Sequence, residues 1–216
     1  MLFVACSKPE KANSPDLNMQ EVESLQTVET EQVKNFDLNS IPLSSSNLGD
    51  FPYIALPDGY ELQNSENRNF ERVPFWTGQN FGWVEGKLFS SGITPKSSYK
   101  EGGFLELQRN FESVITELGG VEVTHSQIPK EFIEQIPKEI KVQHSSGLGD
   151  IYNYPAQTFV IRQAYKNVWL HLAKSGNYMG FMVAESQPLN VTAKALTSSA
   201  LKQSLDQDNK VSVQIE

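Results

Sequence analysis

Three short apolar runs in the last third of the chain, residues 158–163, 168–173 and 178–185, leave few ways for it to fold. Only turn-forming residues separate them, Lys166-Asn167 and then Ser175-Gly176-Asn177. Within the runs the side chains alternate: Leu170 and Leu172 with Trp169 and His171, Phe181 and Val183 with Gly180 and Met182. A two-residue period sends neighbours to opposite faces of a strand, and connections this short can join only antiparallel neighbours. The expected structure is an antiparallel meander.

A helix must pack on it. Phe104, Leu107, Phe111, Val114 or Ile115, and Leu118 recur at three- and four-residue spacing, which gathers them on one helical face. Gly119-Gly120 supplies the stop. The start is either a capping box built on Ser98 and Glu101 or a position nearer Gly103. Val121 to His125 reads as a strand. Residues 129–136 read as a second short helix, opened by Pro129 and ended by Pro137. Residues 81–89 (Phe-Gly-Trp-Val-Glu-Gly-Lys-Leu-Phe) read as a strand whose glycines mark a bulge or a close backbone approach. Residues 36–60 are apolar but broken by Pro42, Pro52 and a Pro57-Asp58-Gly59 turn, so extended segments wrapping the core are expected there. The fold class is therefore α+β: an antiparallel sheet with one main packed helix, over residues 36–190, behind a disordered N-terminal tether.

Composition narrows the function. The formal net charge of −8 gives neither the basic stripe that nucleic acid requires nor a polybasic patch for anionic lipid. No apolar stretch approaches the roughly 18 residues of a membrane-spanning helix. Cys6 is the only cysteine, which excludes an internal disulfide framework and a multi-cysteine zinc site.

The position of that cysteine is informative. Met1-Leu2-Phe3-Val4-Ala5-Cys6-Ser7-Lys8 runs apolar to a small residue, meets the cysteine and turns polar. It resembles the lipobox of bacterial lipoproteins, with Phe3 where that family usually has Leu. The resemblance implies that residues 1–5 are the remnant of a signal peptide and that Cys6 is the lipidation site, diacylated and N-acylated (palmitate-type chains) after cleavage. Each buried methylene contributes about 0.8 kcal/mol, so several acyl chains make a durable anchor. Five residues are too few for a working signal peptide, so further coding sequence is expected upstream; a free cysteine at a disordered terminus is the alternative. Residues 6–35, rich in Glu, Gln, Asn and Ser and without aromatics after Cys6 itself, are expected to form the flexible tether. Ser7 is not the Asp that often retains such lipoproteins in the inner membrane, so the expected location is the outer membrane, facing the periplasm.

A second resemblance covers most of the chain. Phe36-Asp37-Leu38 with Ile41-Pro42, Leu48-Gly49-Asp50-Phe51-Pro52-Tyr53, Leu56-Pro57-Asp58-Gly59-Tyr60, Val84-Glu85-Gly86-Lys87, Arg109-Asn110-Phe111-Glu112 and Val168-Trp169-Leu170 occur in an order similar to that in the periplasmic region of certain OmpA-family lipoproteins. Residues 191–216 read as a linker helix (Leu196, Ala200, Leu201, Leu205) and then a strand (Val211, Val213, Ile215). That strand resembles the opening of an OmpA-like peptidoglycan-binding domain; a plain terminal strand is the alternative. The resemblance implies contact with peptidoglycan only through a downstream domain missing here, and no binding residue carries over.

Catalytic chemistry is not legible. His125, His144 and His171 lack metal-ligand spacing, and His125 and His171 are expected at the surface or rim of their strands. Cys6 has no ordered base beside it. Ser90-Ser91-Gly92 and Ser145-Ser146-Gly147 lack the glycine pattern of a nucleophile elbow, and Gly147-Leu148-Gly149 reads as a turn. Glu131 and Glu134 read as a solvated helix face. No catalytic residue, cofactor or metal is expected. Phe75, Trp76, Phe81, Trp83, Tyr152 and Tyr154 are expected in the core, or on a partner surface if they prove exposed. The expected function is a non-enzymatic envelope module with an envelope protein as candidate partner; the alternative is an envelope hydrolase with an unfamiliar site.

Overall fold

The computed structural model describes residues 36–99 and 103–186. Six strands form one fully antiparallel sheet in the order β1-β2-β6-β5-β4-β3. They are β1 (Tyr60–Trp76), β2 (Phe81–Pro95), β3 (Val121–Ser126), β4 (Ala156–Arg162), β5 (Asn167–Ser175) and β6 (Tyr178–Ser186). The helices are α1 (Phe104–Glu117), α2 (Lys130–Ile133), α3 (Lys138–Gln143) and α4 (Ser145–Leu148). The α+β class holds, and the meander β4-β5-β6 stands where the alternation places it.

α1 is the main helix. It starts after Gly103, so the later of the two expected starts is the one used. Leu107, Phe111 and Ile115 are buried against Leu170, Leu172, Phe181 and Val183 on one face of the sheet. Phe111 meets Phe181 edge-on at 4.8 Å between ring centroids. Each such large side chain contributes roughly 1.5–3 kcal/mol by leaving water. Gly119 then takes φ +81, a left-handed stop that costs glycine nothing.

The opposite face is covered as well. Trp169, Ala173, Met182 and Ala184 pack under Ile133, Ile136, Leu148 and Ile151, which α2, α4 and their connections supply. With both faces buried, the alternation along β5 and β6 is between two cores. That corrects the expectation for His171. It shares a face with Trp169 and Ala173 and is only 2% exposed, beneath α4 rather than at a rim. Gly147-Leu148-Gly149 is likewise part of a helical turn, ended by Gly149 at φ +66, because Gly147 and Gly180 let α4 sit directly on β6.

No sequence pattern predicts β1, where residues 61–72 are nearly all polar. They form the sheet edge, mostly exposed, with register shifts between Gln63 and Glu66 and between Arg68 and Glu71. Bulges and charges of this kind protect an edge from pairing with another chain. The β1–β2 hairpin is longer than its neighbour: β2 pairs with β6 only from Gly86 to Ile93. Its free tip bends over the second core, where Phe75 lies 5.7 Å from the Trp169 ring and Trp76 Nε1 donates to Ser126 Oγ of β3 at 3.0 Å. Phe75 and Trp76 are core residues, while Phe81 and Trp83 are half-buried.

Residues 36–59 wrap the domain with little ladder, as the prolines require. One 3-10 turn spans Leu38–Ser40, and a single parallel bridge joins Leu43 to Arg162.

Candidate functional site

Cys6, residues 1–5, the tether 6–35 and the expected strand within 191–216 lie outside the described residues. Within them, three groups of polar side chains carry whatever chemistry the domain has.

The first lies where α1 meets the β3 edge. Gln108 and Glu112, four residues apart on α1, face Gln157 of β4 and Glu122 of β3. Gln157 donates to Glu112 Oε1 at 2.8 Å and to Glu122 Oε2 at 2.6 Å, while its own oxygen accepts from Gln108 at 2.9 Å. Arg109 closes on Glu112 Oε2 at 2.6 Å. These residues, with His125 and Thr116, line an open cleft of about 370 Å³. Burial pushes the Glu112 carboxyl up, but the bonds from Gln157, Arg109 and Gln108 and the Arg109 charge outweigh it, and the group is held below the usual carboxylate range. Glu112 therefore stays ionised at neutral pH. The network acts as a brace between helix and sheet edge.

The second group fastens the N-terminal wrap to the ends of β5 and β6. Tyr53 donates to Glu185, and Lys166 Nζ donates to Tyr53 Oη at 2.7 Å and to Glu185 Oε2 at 3.0 Å. The ammonium also lies 4.5 Å from the Tyr53 ring centroid. Burial pushes the Glu185 carboxyl up, and the Lys166 ammonium is its ion-pair partner. Removing one partner of a buried pair strands the other charge. Lys166→Met is expected to lower unfolding free energy by about 2 kcal/mol in denaturant titrations, below the fully buried value because both groups keep some water contact. A Lys166→Met/Glu185→Gln double variant is expected to recover most of that loss.

The histidines form no common site. His125 is exposed at the first cleft. His171 donates from Nε2 to the carbonyl oxygen of Leu148 at 3.0 Å, and burial lowers its pKa to about 4, so the ring is neutral and holds α4 to the sheet. His144, 1% exposed, sits between α3 and α4. Among the described residues no three His, Cys, Asp or Glu side chains converge as metal ligands. No described helix is long and apolar enough to cross a membrane. The Gln108–Gln157 contact was not legible in the sequence, because two glutamines 49 residues apart carry no pattern.

No family model matches the chain, and no curated protein matches it.

Proposed function

We propose that this chain is a non-enzymatic module of the bacterial cell envelope, an OmpA-family-like lipoprotein anchored in the outer membrane through Cys6 and facing the periplasm. Its work on this reading is positional: it holds a folded domain at the end of a tether and presents its surface to an envelope protein. Contact with peptidoglycan would come through a downstream domain, and nucleic acid is not a partner. The observation that carries the reading is the internal commitment of three groups of polar side chains. The Gln108–Glu112–Gln157–Glu122 network bonds to itself, Lys166 and Glu185 bond to each other and to Tyr53, and His171 is neutral and bonded to α4. These bonds brace elements against one another, as a structural module requires. The lipobox-like residues around Cys6 supply the anchor.

The hydrolase reading has one observation in its favour, the two carboxylates Glu112 and Glu122 facing an open cleft. Glycoside hydrolysis needs one carboxyl of raised pKa to protonate the leaving oxygen. Glu112 is shifted the opposite way.

Metabolic labelling tests the anchor. The native protein, expressed from its own gene, is expected to incorporate labelled palmitate, and a Cys6→Ser variant none. Equal labelling of the two, or none in either, would remove the lipid from the proposal. Unchanged peptidoglycan turnover in a Glu112→Gln/Glu122→Gln strain is expected; a clear loss would favour the hydrolase.

A further inference from the structure

His144 is the one buried histidine whose ring has no hydrogen-bond partner at either nitrogen among the described residues. A buried polar group left unbonded is unfavourable, so a ring kept in this state needs a reason. The nearest one is on the sheet edge. Glu71 Oε2 stands 4.0 Å from His144 Nε2, and the Glu71 side chain is 29% exposed, so it has room to move inward. A shift of about 1 Å would bring the pair to the distance of a charge-assisted bond.

We propose that His144 and Glu71 form an acid-operated clamp that ties the bulged stretch of β1 to the junction of α3 and α4. Three features place it there. The register shift between Arg68 and Glu71 interrupts the regular ladder at this stretch of β1. The neighbouring residue already bridges the same two elements: with its side-chain oxygen turned toward β1, Gln143 accepts from Arg68 Nε at 2.9 Å. His144 itself ends α3 and begins α4, so a bond to its ring holds both. A neutral imidazole offers one donor and an imidazolium two, which makes proton uptake the event that closes the clamp.

With Glu71 at 4.0 Å, burial is the largest influence and the ring's pKa is lowered. Glu71 and Glu66 pull it up, and Arg68, itself paired with Glu66 at 3.0 Å, opposes them, so the proton is taken up as Glu71 moves inward. On α3, Lys141 donates to the Ile133 carbonyl oxygen. Under α4, β2 and β6 present the uncharged Ser90 and Met182.

The test is NMR on the full chain, titrated from neutral toward acid over the range where its circular dichroism is unchanged. The His144 ring resonances and the amide protection factors of residues 68–72 and 143–148 are followed. In the wild-type chain, protection at both segments is expected to rise as His144 takes up its proton. In Glu71→Gln the protonation constant of His144 is expected to fall by about threefold or more, the low end for losing a partly exposed carboxylate partner, and the rise in protection to disappear. Glu71 is partly exposed and Glu71→Gln keeps its shape, so this variant is expected to keep the fold. An unchanged His144 titration in Glu71→Gln would overturn the proposal. So would protection that falls on protonation, which would mean that the charged ring is expelled to water.

Discussion

Gly180→Ala is expected to destabilise the domain by about 3 kcal/mol or more, the upper range for overpacking, since a rigid backbone stands in the way. The added Cβ would lie 2.6 Å from the Gly147 carbonyl oxygen and as close again to the Gly149 backbone. A flexible side chain could swing aside from such a contact. The α4 backbone cannot, because it is fastened to the sheet on both sides of the glycine: Leu148 O accepts from His171, and Asp150 N donates to Lys174 O at 3.0 Å. The variant must lift α4 off β6, which exposes Leu148 and Met182 and breaks the His171 bond. Gly176→Ala is the control. Its Cβ would meet no atom within 4 Å, and only the left-handed φ of +58 opposes it, so about 1 kcal/mol is expected. Denaturant midpoints of the two variants measure the difference. A Gly180→Ala midpoint equal to that of Gly176→Ala would mean that α4 is not seated on β6.

The second large effect is loss of stability in acid. His171 has a pKa of about 4 in the folded chain because burial disfavours the charged ring, against 6.5 when unfolded. Above pH 6.5 neither state binds this proton, and stability does not depend on it. Between 6.5 and about 4 the unfolded chain takes up a proton that the folded chain refuses, so stability falls as pH falls. At about 1.4 kcal/mol per pH unit the loss approaches roughly 3 kcal/mol by pH 4. Glu112, held below the usual carboxylate range, costs stability only at still lower pH as it protonates. Glu185, pushed up by burial, works the other way as it protonates, so the fall in the upper part of the acid slope belongs to His171. His171→Gln keeps an N–H for Leu148 and removes the titration. It is expected to flatten the fall in unfolding free energy between pH 6.5 and 4.5, measured by urea titration at each pH. A slope as steep as that of the wild-type chain would show that His171 is not held neutral.

How far these effects could be foreseen differs by element. The meander and α1 were legible because period-two and period-3.6 apolar patterns record burial directly. Leu170, Phe181, Leu107 and Phe111 all stand where those patterns put them. The second core was partly hidden. An alternation such as Trp169-Leu170-His171-Leu172 looks half-exposed if histidine is read as polar, yet here both faces are covered. What decided His171 was the close approach of α4 through Gly147 and Gly180, a contact between residues far apart in the chain. β1 carried no signal, since an edge strand solvated over much of its length has no apolar rhythm to show. The polar networks were equally silent: Gln157 joins α1, β3 and β4, and Tyr53 joins the wrap to β5 and β6, but only the fold brings them together.

The central proposal is an envelope module held by lipid at Cys6, and mass spectrometry of the N-terminal peptide of the native protein from bacterial membranes tests it most directly. The expected peptide begins at Cys6 and carries the mass of a diacylglyceryl thioether and an amide-linked acyl chain. A peptide beginning with unmodified Met1-Leu2-Phe3, recovered from the soluble fraction, would contradict the anchor and with it the assignment to the envelope.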